Sequence, residues 1–432
     1  MSSSVISLIG ILIALVIIIA GSMKNVSLII LSSVAAFIVA AMGGVGVLDG
    51  YGTYIGGVGG AIVSLFPIFL GGQLFGTFLE KTGLTESIAA AMIKKMGTKA
   101  IIIAVFSVSW ILLFCGVNVF VIIFTVYPLA CAFFKLADIP RSLIPACVLG
   151  AAVSMQCLPG TATTANVLPT EAFGVGAAAG PVIGIVCSLF LFVTNCWYLN
   201  AQAKKAKKNG EHFVAKQGET FDIDLDKKGM PNPCLVLIPV GVVLVLLNGF
   251  RVQAYASLYI GAIVCMLMFW KRLGGLDGAL KTLDKAAKGS MSVVSTAAIV
   301  GFGTIVTAVP GYELIQNGLV SVSSGNPYIF AFLCVAVIAA VSGSATGGIK
   351  FVLNTFSDKL IAMGGNPAAL SRVITVSSLT FDSLPHNSAI VLTLDYCGVT
   401  HKEGYKHLAV TTVLNTTIAT LIAVVLATVG II

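Results

Sequence analysis

Val5-Ile6-Ser7-Leu8-Ile9-Gly10-Ile11-Leu12-Ile13-Ala14-Leu15-Val16-Ile17-Ile18-Ile19-Ala20 contains no charged residue, and Ser7 is its single polar side chain. With its flanks, the run reaches the ~18 or more apolar residues that a helix needs to cross a bilayer. Comparable runs recur at Ser27–Ala41 and Cys234–Leu247 with their flanks. Across the chain, 57% of residues are hydrophobic and 10% are charged. A soluble domain carries about a quarter charged residues. The runs do not alternate apolar and polar residues, as the ~10-residue strands of a membrane barrel would. The predicted class is therefore an all-α polytopic membrane protein. The 46 glycines suit close packing of such helices.

No basic segment precedes Val5, so the first run is expected to be a retained helix and not a cleaved signal. The ten cysteines are scattered, mostly in apolar runs and without C-x-x-C pairs. They predict buried small residues, not disulfides or metal ligands, and no cofactor is expected. The net charge of +8 comes from lysines between apolar segments. That is the placement the positive-inside rule expects, and nothing points to nucleic acid.

One long polar stretch divides the chain. It contains Lys204, Lys205, Lys207, Lys208, Lys216, Lys227 and Lys228. The expected organisation is a first repeat at 1–200, a cytoplasmic linker at 201–232 and a second repeat at 233–432. Sliding one half over the other by about 227 residues aligns Phe75-Gly76-Thr77 with Phe302-Gly303-Thr304. Gly116 then meets Gly343, Pro140 meets Pro367, and Leu158-Pro159 meets Leu384-Pro385 within one position. Charge suggests that the halves are inverted. Lys81, Lys94, Lys95 and Lys99 face a mate near 309–326 that has no Lys or Arg. The uncharged-to-acidic loop Gly43–Tyr54 faces a mate bearing Lys271, Arg272, Lys281, Lys285 and Lys288.

The first half predicts helices at 5–22, 26–43 and 56–79, then an amphipathic surface stretch from Leu84 to Met96. Two apolar arms, 100–114 and 119–134, form a hairpin through Cys115–Asn118. A helix at 142–156 breaks at Leu158-Pro159-Gly160, and 174–199 returns to the cytoplasm. The second half repeats the plan, with a hairpin turning at Ser342–Gly348 and a helix at 367–381 that breaks at Leu384-Pro385.

Helix breaks at membrane depth strand backbone N–H and C=O groups, so they persist only where protein, water or ligand satisfies them. The four breaks are rich in small polar residues: Asn118; Thr161, Thr163, Thr164 and Asn166; Ser342, Ser344 and Thr346; and Asp382, His386, Asn387 and Ser388. Half-helix N-termini, hydroxyls and amides can hold a carboxylate and neighbouring hydroxyls. Small polar residues also serve as packing residues in membrane helices. His386 beside Asp382 is either a proton-coupling or substrate-contacting pair or a structural hydrogen bond. Lys350 either neutralises a substrate carboxylate or snorkels to the interface. Glu171 and Asp395, beyond the second and fourth breaks, read as loop residues.

Gly71-Gly72-Gln73-Leu74-Phe75-Gly76 through Gly83, and Ile93-Lys94-Lys95-Met96-Gly97, resemble the gluconate permease (GntP) family. So do the Leu-Pro second break, Ser342-Gly343-Ser344-Ala345-Thr346 and Cys397-Gly398-Val399-Thr400. The resemblance implies a member of the ion transporter superfamily, homodimeric, with a scaffold and a mobile transport domain carrying hairpins and broken helices. It implies proton-coupled uptake of gluconate or a related hydroxycarboxylate in the bacterial inner membrane. The second break reads Gly160-Thr161-Ala162-Thr163 where gluconate carriers have a His-Pro-Gly-like run. The fourth reads Leu384-Pro385-His386-Asn387 in place of a Ser-His-Val-Asn-like run. Members for smaller acids such as 3-hydroxybutyrate are closer. Sodium coupling, as in citrate or dicarboxylate carriers, and an anion channel are the alternatives. An intramembrane enzyme would rest on His386 with Ser383 or Ser388, and no H-E-x-x-H or G-x-S-x-G motif supports it. Replacing His386 with Ala is expected to impair coupled uptake with expression intact. Unchanged pH dependence of uptake would remove His386 from coupling.

Overall fold

Asn326-Pro327 and Asn366-Pro367 show how this chain starts its helices. Each Asn accepts hydrogen bonds from the backbone N–H groups of the first turn, and the Pro has no N–H to leave unpaired. In a computed structural model of the protein, residues 3–24, 26–84, 87, 100–114, 119–161, 163–215, 229–246, 250, 252–291, 293–321 and 325–432 are described. Among them the regular structure is helical throughout.

In the first half these are α1 (Ser3–Met23), α2 (Leu28–Met42), α3 (Val47–Lys81), α4 (Ile101–Phe114) and α5 (Val119–Leu136). They are followed by α6 (Ile144–Gln156), α7 (Thr164–Ala172) and α8 (Pro181–Lys208). The second half has α9 (Leu237–Leu244), α10 (Ala254–Met268), α11 (Gly275–Ser290), α12 (Val293–Ala308) and α13 (Pro310–Ser321). Then come α14 (Pro327–Ser342), α15 (Ala345–Ala362), α16 (Pro367–Ser378), α17 (Ser388–Cys397), α18 (His401–Leu408) and α19 (Asn415–Thr428). A π-helical stretch, Ala409–Leu414, joins the last two. Among the described residues, five segments are long and apolar enough to cross a membrane: Ser3–Met23, Val47–Leu79, Pro181–Lys208, Gly275–Ala308 and His401–Thr428.

The repeat holds at the level of elements. Shifted by about 227 residues, α4 falls on α14, α5 on α15 and α2 on α10, each within one residue. The long helix α3 falls on α11 and α12 together. Packing obeys the same exchange. The half-helix α7 packs on α16 and α15 of the other half, and its mate α17 packs on α6 and α5. Likewise α3 packs on α10, and α12 packs on α2. The two halves are therefore related by a pseudo-two-fold exchange.

Three boundaries differ from the sequence expectation. The first is α3, which begins at Val47 and absorbs most of the loop expected at Gly43–Tyr54. Glycine is a poor helix former in water, but here Gly57 lets α12 approach closely. A Cβ on Gly57 would stand 2.5 Å from Thr304 Oγ1, and one on Gly301 would stand 2.7 Å from the Tyr54 carbonyl. The second is the return after the second break, which is split into α7 and α8. The third is α8 itself, which reaches Lys208 and so enters the segment expected as linker. Beyond it, Asp138 accepts hydrogen bonds from His212 Nδ1 (2.6 Å) and the Phe213 N–H (3.0 Å), tying the start of the polar stretch to the α5–α6 turn. Those bonds hold the Asp138 carboxyl below the usual carboxylate range. The turn Cys115–Asn118 and nearly all of the amphipathic stretch Leu84–Met96 lie outside the described residues.

The crossing of α3 and α12 is a place where size matters. Gly301→Leu should destabilise the protein by about 1–3 kcal/mol or more through overpacking. Gly59→Ala, with open space around its Cβ, should be neutral. The midpoint of thermal unfolding in detergent, measured for both, checks this contrast.

Candidate functional site

Three of the helix breaks are described, and protein groups satisfy much of their backbone. In the second break, Gly160 has φ +81° and donates to the Ala177 carbonyl at 2.9 Å. Asn166 Nδ2 donates to the Thr161 carbonyl (2.7 Å) and to Ala177 (3.3 Å). Thr161 and Thr163 hydroxyls lie 3.3 Å apart. Thr163 is the N-cap of α7 yet makes no side-chain capping bond, so that cap is left open.

The third and fourth breaks are stitched together. In the third, Gly343 takes φ +64° to reverse the chain between α14 and α15, and Ser344 Oγ caps α15 by accepting from the Gly347 N–H at 3.1 Å. In the fourth, one oxygen of Asp382 accepts from the Ala345 N–H and from Asn387 Nδ2, both at 2.8 Å. Asn387 Nδ2 also donates to the Gly343 carbonyl at 3.0 Å, while its oxygen caps α17 by accepting from Ala389 and Ile390. His386 Nε2 bonds the Ala340 carbonyl at 3.0 Å, and its Nδ1 is buried without a partner. From α18, Tyr405 and His401 donate to the Ser383 and Pro385 carbonyls at 3.1 Å each. These bonds remove much of the cost of unwound backbone at membrane depth.

Between the breaks lies a cavity of about 590 Å³. Thr163 and Thr164 line it from the second break, Ser342, Ser344 and Thr346 from the third, and Asp382, Asn387 and Ser388 from the fourth. Leu113, Val119 and Phe120, flanking the first hairpin's turn, close one wall, and Thr304 and Thr307 of α12 form another. Among the described residues lining it, Asp382 is the only ionisable one.

Several expected residues are elsewhere. Asn118 lies outside the described residues. Thr161 and Asn166 are buried behind the second break, where Asn166 spends its amide on backbone carbonyls and on Arg372. His386 is buried behind the third and fourth breaks and does not line the cavity. It makes no hydrogen bond with Asp382; the carbonyl of Ala340 takes its ring N–H instead. Lys350 is exposed on α15, off the cavity. Glu171 and Asp395 are exposed, and both lie within helices, α7 and α17, instead of loops. Among the described residues no group of three His, Cys, Asp or Glu side chains is placed to hold a metal ion.

Three features were missed in the sequence. Gln156 lines the cavity at the position that the Leu158-Pro159/Leu384-Pro385 alignment pairs with Asp382, so the same offset could have found it. Thr304 belongs to the Phe302-Gly303-Thr304 match, and Thr307 lies one turn further along. Arg372, inside the expected helix 367–381, is fully buried. An ionisable residue within a membrane helix was its signal.

Residues 3–233 match the model of the GntP family permease. The uncharacterized transporter YxjC of Bacillus subtilis (strain 168) is 30% identical over 404 residues, covering 83% of this chain and 85% of that protein. The D-serine transporter DsdX of Escherichia coli (strain K12) is 24% identical over 431 residues, covering 89% and 90%. The crystal structure of the Alcanivorax borkumensis YdaH transporter aligns over 89% of each chain with a TM-score of 0.43 and 16% identity. The family match spans more than half of the sequence: this chain belongs to the GntP family of permeases.

Proposed function

We propose that the protein is a symporter that carries a small hydroxycarboxylate, of the size of 3-hydroxybutyrate or gluconate, into the cell with protons. The observation that carries this is Asp382, the one ionisable group among the described residues that line the cavity. Asp382 faces a space otherwise lined by hydroxyls, amides and apolar side chains. A carboxylate substrate beside an ionised Asp382 in low dielectric is strongly disfavoured. Protonation of Asp382 removes that repulsion, so anion and proton load together. The open cap of α7 at Thr163 and the first turns of α15 and α17 offer the partial positive charge that a carboxylate needs. A volume of about 590 Å³ admits such an acid with some water. His386, with its unpartnered Nδ1 behind the same breaks, is a second candidate proton carrier.

Asp382 also favours a second substrate. An ammonium group would pair with its carboxylate, and the relative DsdX is named a D-serine transporter. The pseudo-two-fold exchange and the opposed loop charges support inverted halves, with the polar stretch 201–232 cytoplasmic and the transport domain moving elevator-fashion. The family match and its bacterial relatives support a multi-pass membrane protein, and we place it in the bacterial inner membrane as a homodimer. Sodium in place of protons is the coupling alternative.

Proteoliposomes separate these possibilities. With the outside acidic, the wild-type protein should accumulate 3-hydroxybutyrate or gluconate, and a sodium gradient alone should not drive it. Asp382→Asn should lose about tenfold or more of the gradient-driven accumulation while retaining exchange of internal for external acid. Loss of all binding in Asp382→Asn, with D-serine as the wild-type substrate, would favour the zwitterion. Proton-driven accumulation by Asp382→Asn equal to wild type would overturn the coupling role.

A further inference from the structure

Arg372 is among the largest fully buried side chains of the described residues. It sits in α16, where every residue from Ala369 to Ser378 is buried. Its Nη2 donates to Asn166 Oδ1 and, at 3.4 Å, to the Ala177 carbonyl. Its Nε and Nη1 are buried without a partner. No acidic side chain pairs with it among the described residues. The chain makes room for it: Gly180, at φ +61°, is a position where a Cβ would stand 2.3 Å from the Arg372 Cγ.

This cation lies directly behind the second break. Its partner Asn166 is adjacent in sequence to Ala165, which lines the central cavity. The Ala165 carbonyl is in turn held by the Thr375 hydroxyl of α16 at 2.9 Å. A buried charge with unsatisfied donors is costly unless an opposite charge lies near. The cavity is reached from Arg372 through Asn166 and its neighbour Ala165. In low dielectric, a fixed cation acts on it without direct contact.

We propose that Arg372 is the fixed positive charge that makes the central cavity prefer an anion, acting as a positioning residue through Asn166 and the second break. The inference rests on the reading that the cavity takes a carboxylate. With Asp382 protonated, Arg372 leaves the site net positive, and an entering carboxylate restores neutrality. A structural strut would do no more than hold α16 to the second break, and its loss would weaken every ligand alike.

The test compares binding of 3-hydroxybutyrate and of its neutral amide, 3-hydroxybutyramide, to the purified protein by thermal shift. Wild type should prefer the acid. Arg372→Gln should reduce the acid-to-amide preference by about tenfold or more, and Arg372→Lys should largely retain it. Asn166→Asp, which neutralises the guanidinium without removing it, should also reduce the preference and serves if Arg372→Gln does not fold. An acid-to-amide ratio unchanged in whichever of Arg372→Gln and Asn166→Asp fold, with wild type preferring the acid, overturns the inference alone. Wild-type protein that binds neither compound overturns the carboxylate reading and the inference with it.

Discussion

Backbone that leaves the helix inside a membrane must find partners for its N–H and C=O groups, and the arrangement of this protein follows from how it finds them. At the third and fourth breaks, Asp382, His386 and Asn387 reach across to the Ala345 N–H and the Ala340 and Gly343 carbonyls. Tyr405 and His401 cover the carbonyls of Ser383 and Pro385. At the second break Asn166 and the Ala177 carbonyl do the same work. At the third and fourth breaks these bonds join segments separate in sequence, so those two breaks act as one unit, while at the second they stay within residues 160–177. Where that stitching leaves helix ends open, as at Thr163, they border the cavity.

The repeat supplies this geometry twice but not its charge. Gln156, the last residue of α6, and Asp382, just after α16, occupy equivalent positions in the repeat, and both line the cavity. One is neutral, and the other is the only ionisable group among the described lining residues. Arg372 has no basic counterpart either, since Pro145 stands near the matching position of α6. Both charges of the centre thus belong to the second half. A symmetric scaffold with an asymmetric centre suits a permease whose two halves together shape the cavity while one of them supplies its charge.

Much of the fold was legible in the sequence because hydrophobic runs, Asn-Pro starts and Leu-Pro breaks are local signals. The hairpin at Ser342–Gly348 and the break at Leu384-Pro385 lie where those signals put them. The start of α3 was not legible. Its glycines suggest a loop until the close approach of α12 at Gly57 and Gly301 is known. Within the breaks, residue types were legible but their facing was not. Irregular backbone has no period from which to read it, so Thr163 and Thr164 line the cavity while Thr161 and Asn166 turn to internal bonds. Arg372 depends on Asn166, which is 206 residues away, and no local pattern joins the two.

The central claim is that a small carboxylate occupies the space between the breaks and α12. The rate at which a thiol reagent modifies a cysteine at Thr304, on the α12 wall, tests it most directly, with Cys115 and Cys234 replaced by Ser. A cysteine at the exposed Lys350, off the cavity, serves as the reference. Hydroxycarboxylate at about ten times its Kd should slow modification at Thr304→Cys by roughly tenfold and leave Lys350→Cys unchanged. Equal modification rates at Thr304→Cys with and without an acid that binds the protein would contradict the account.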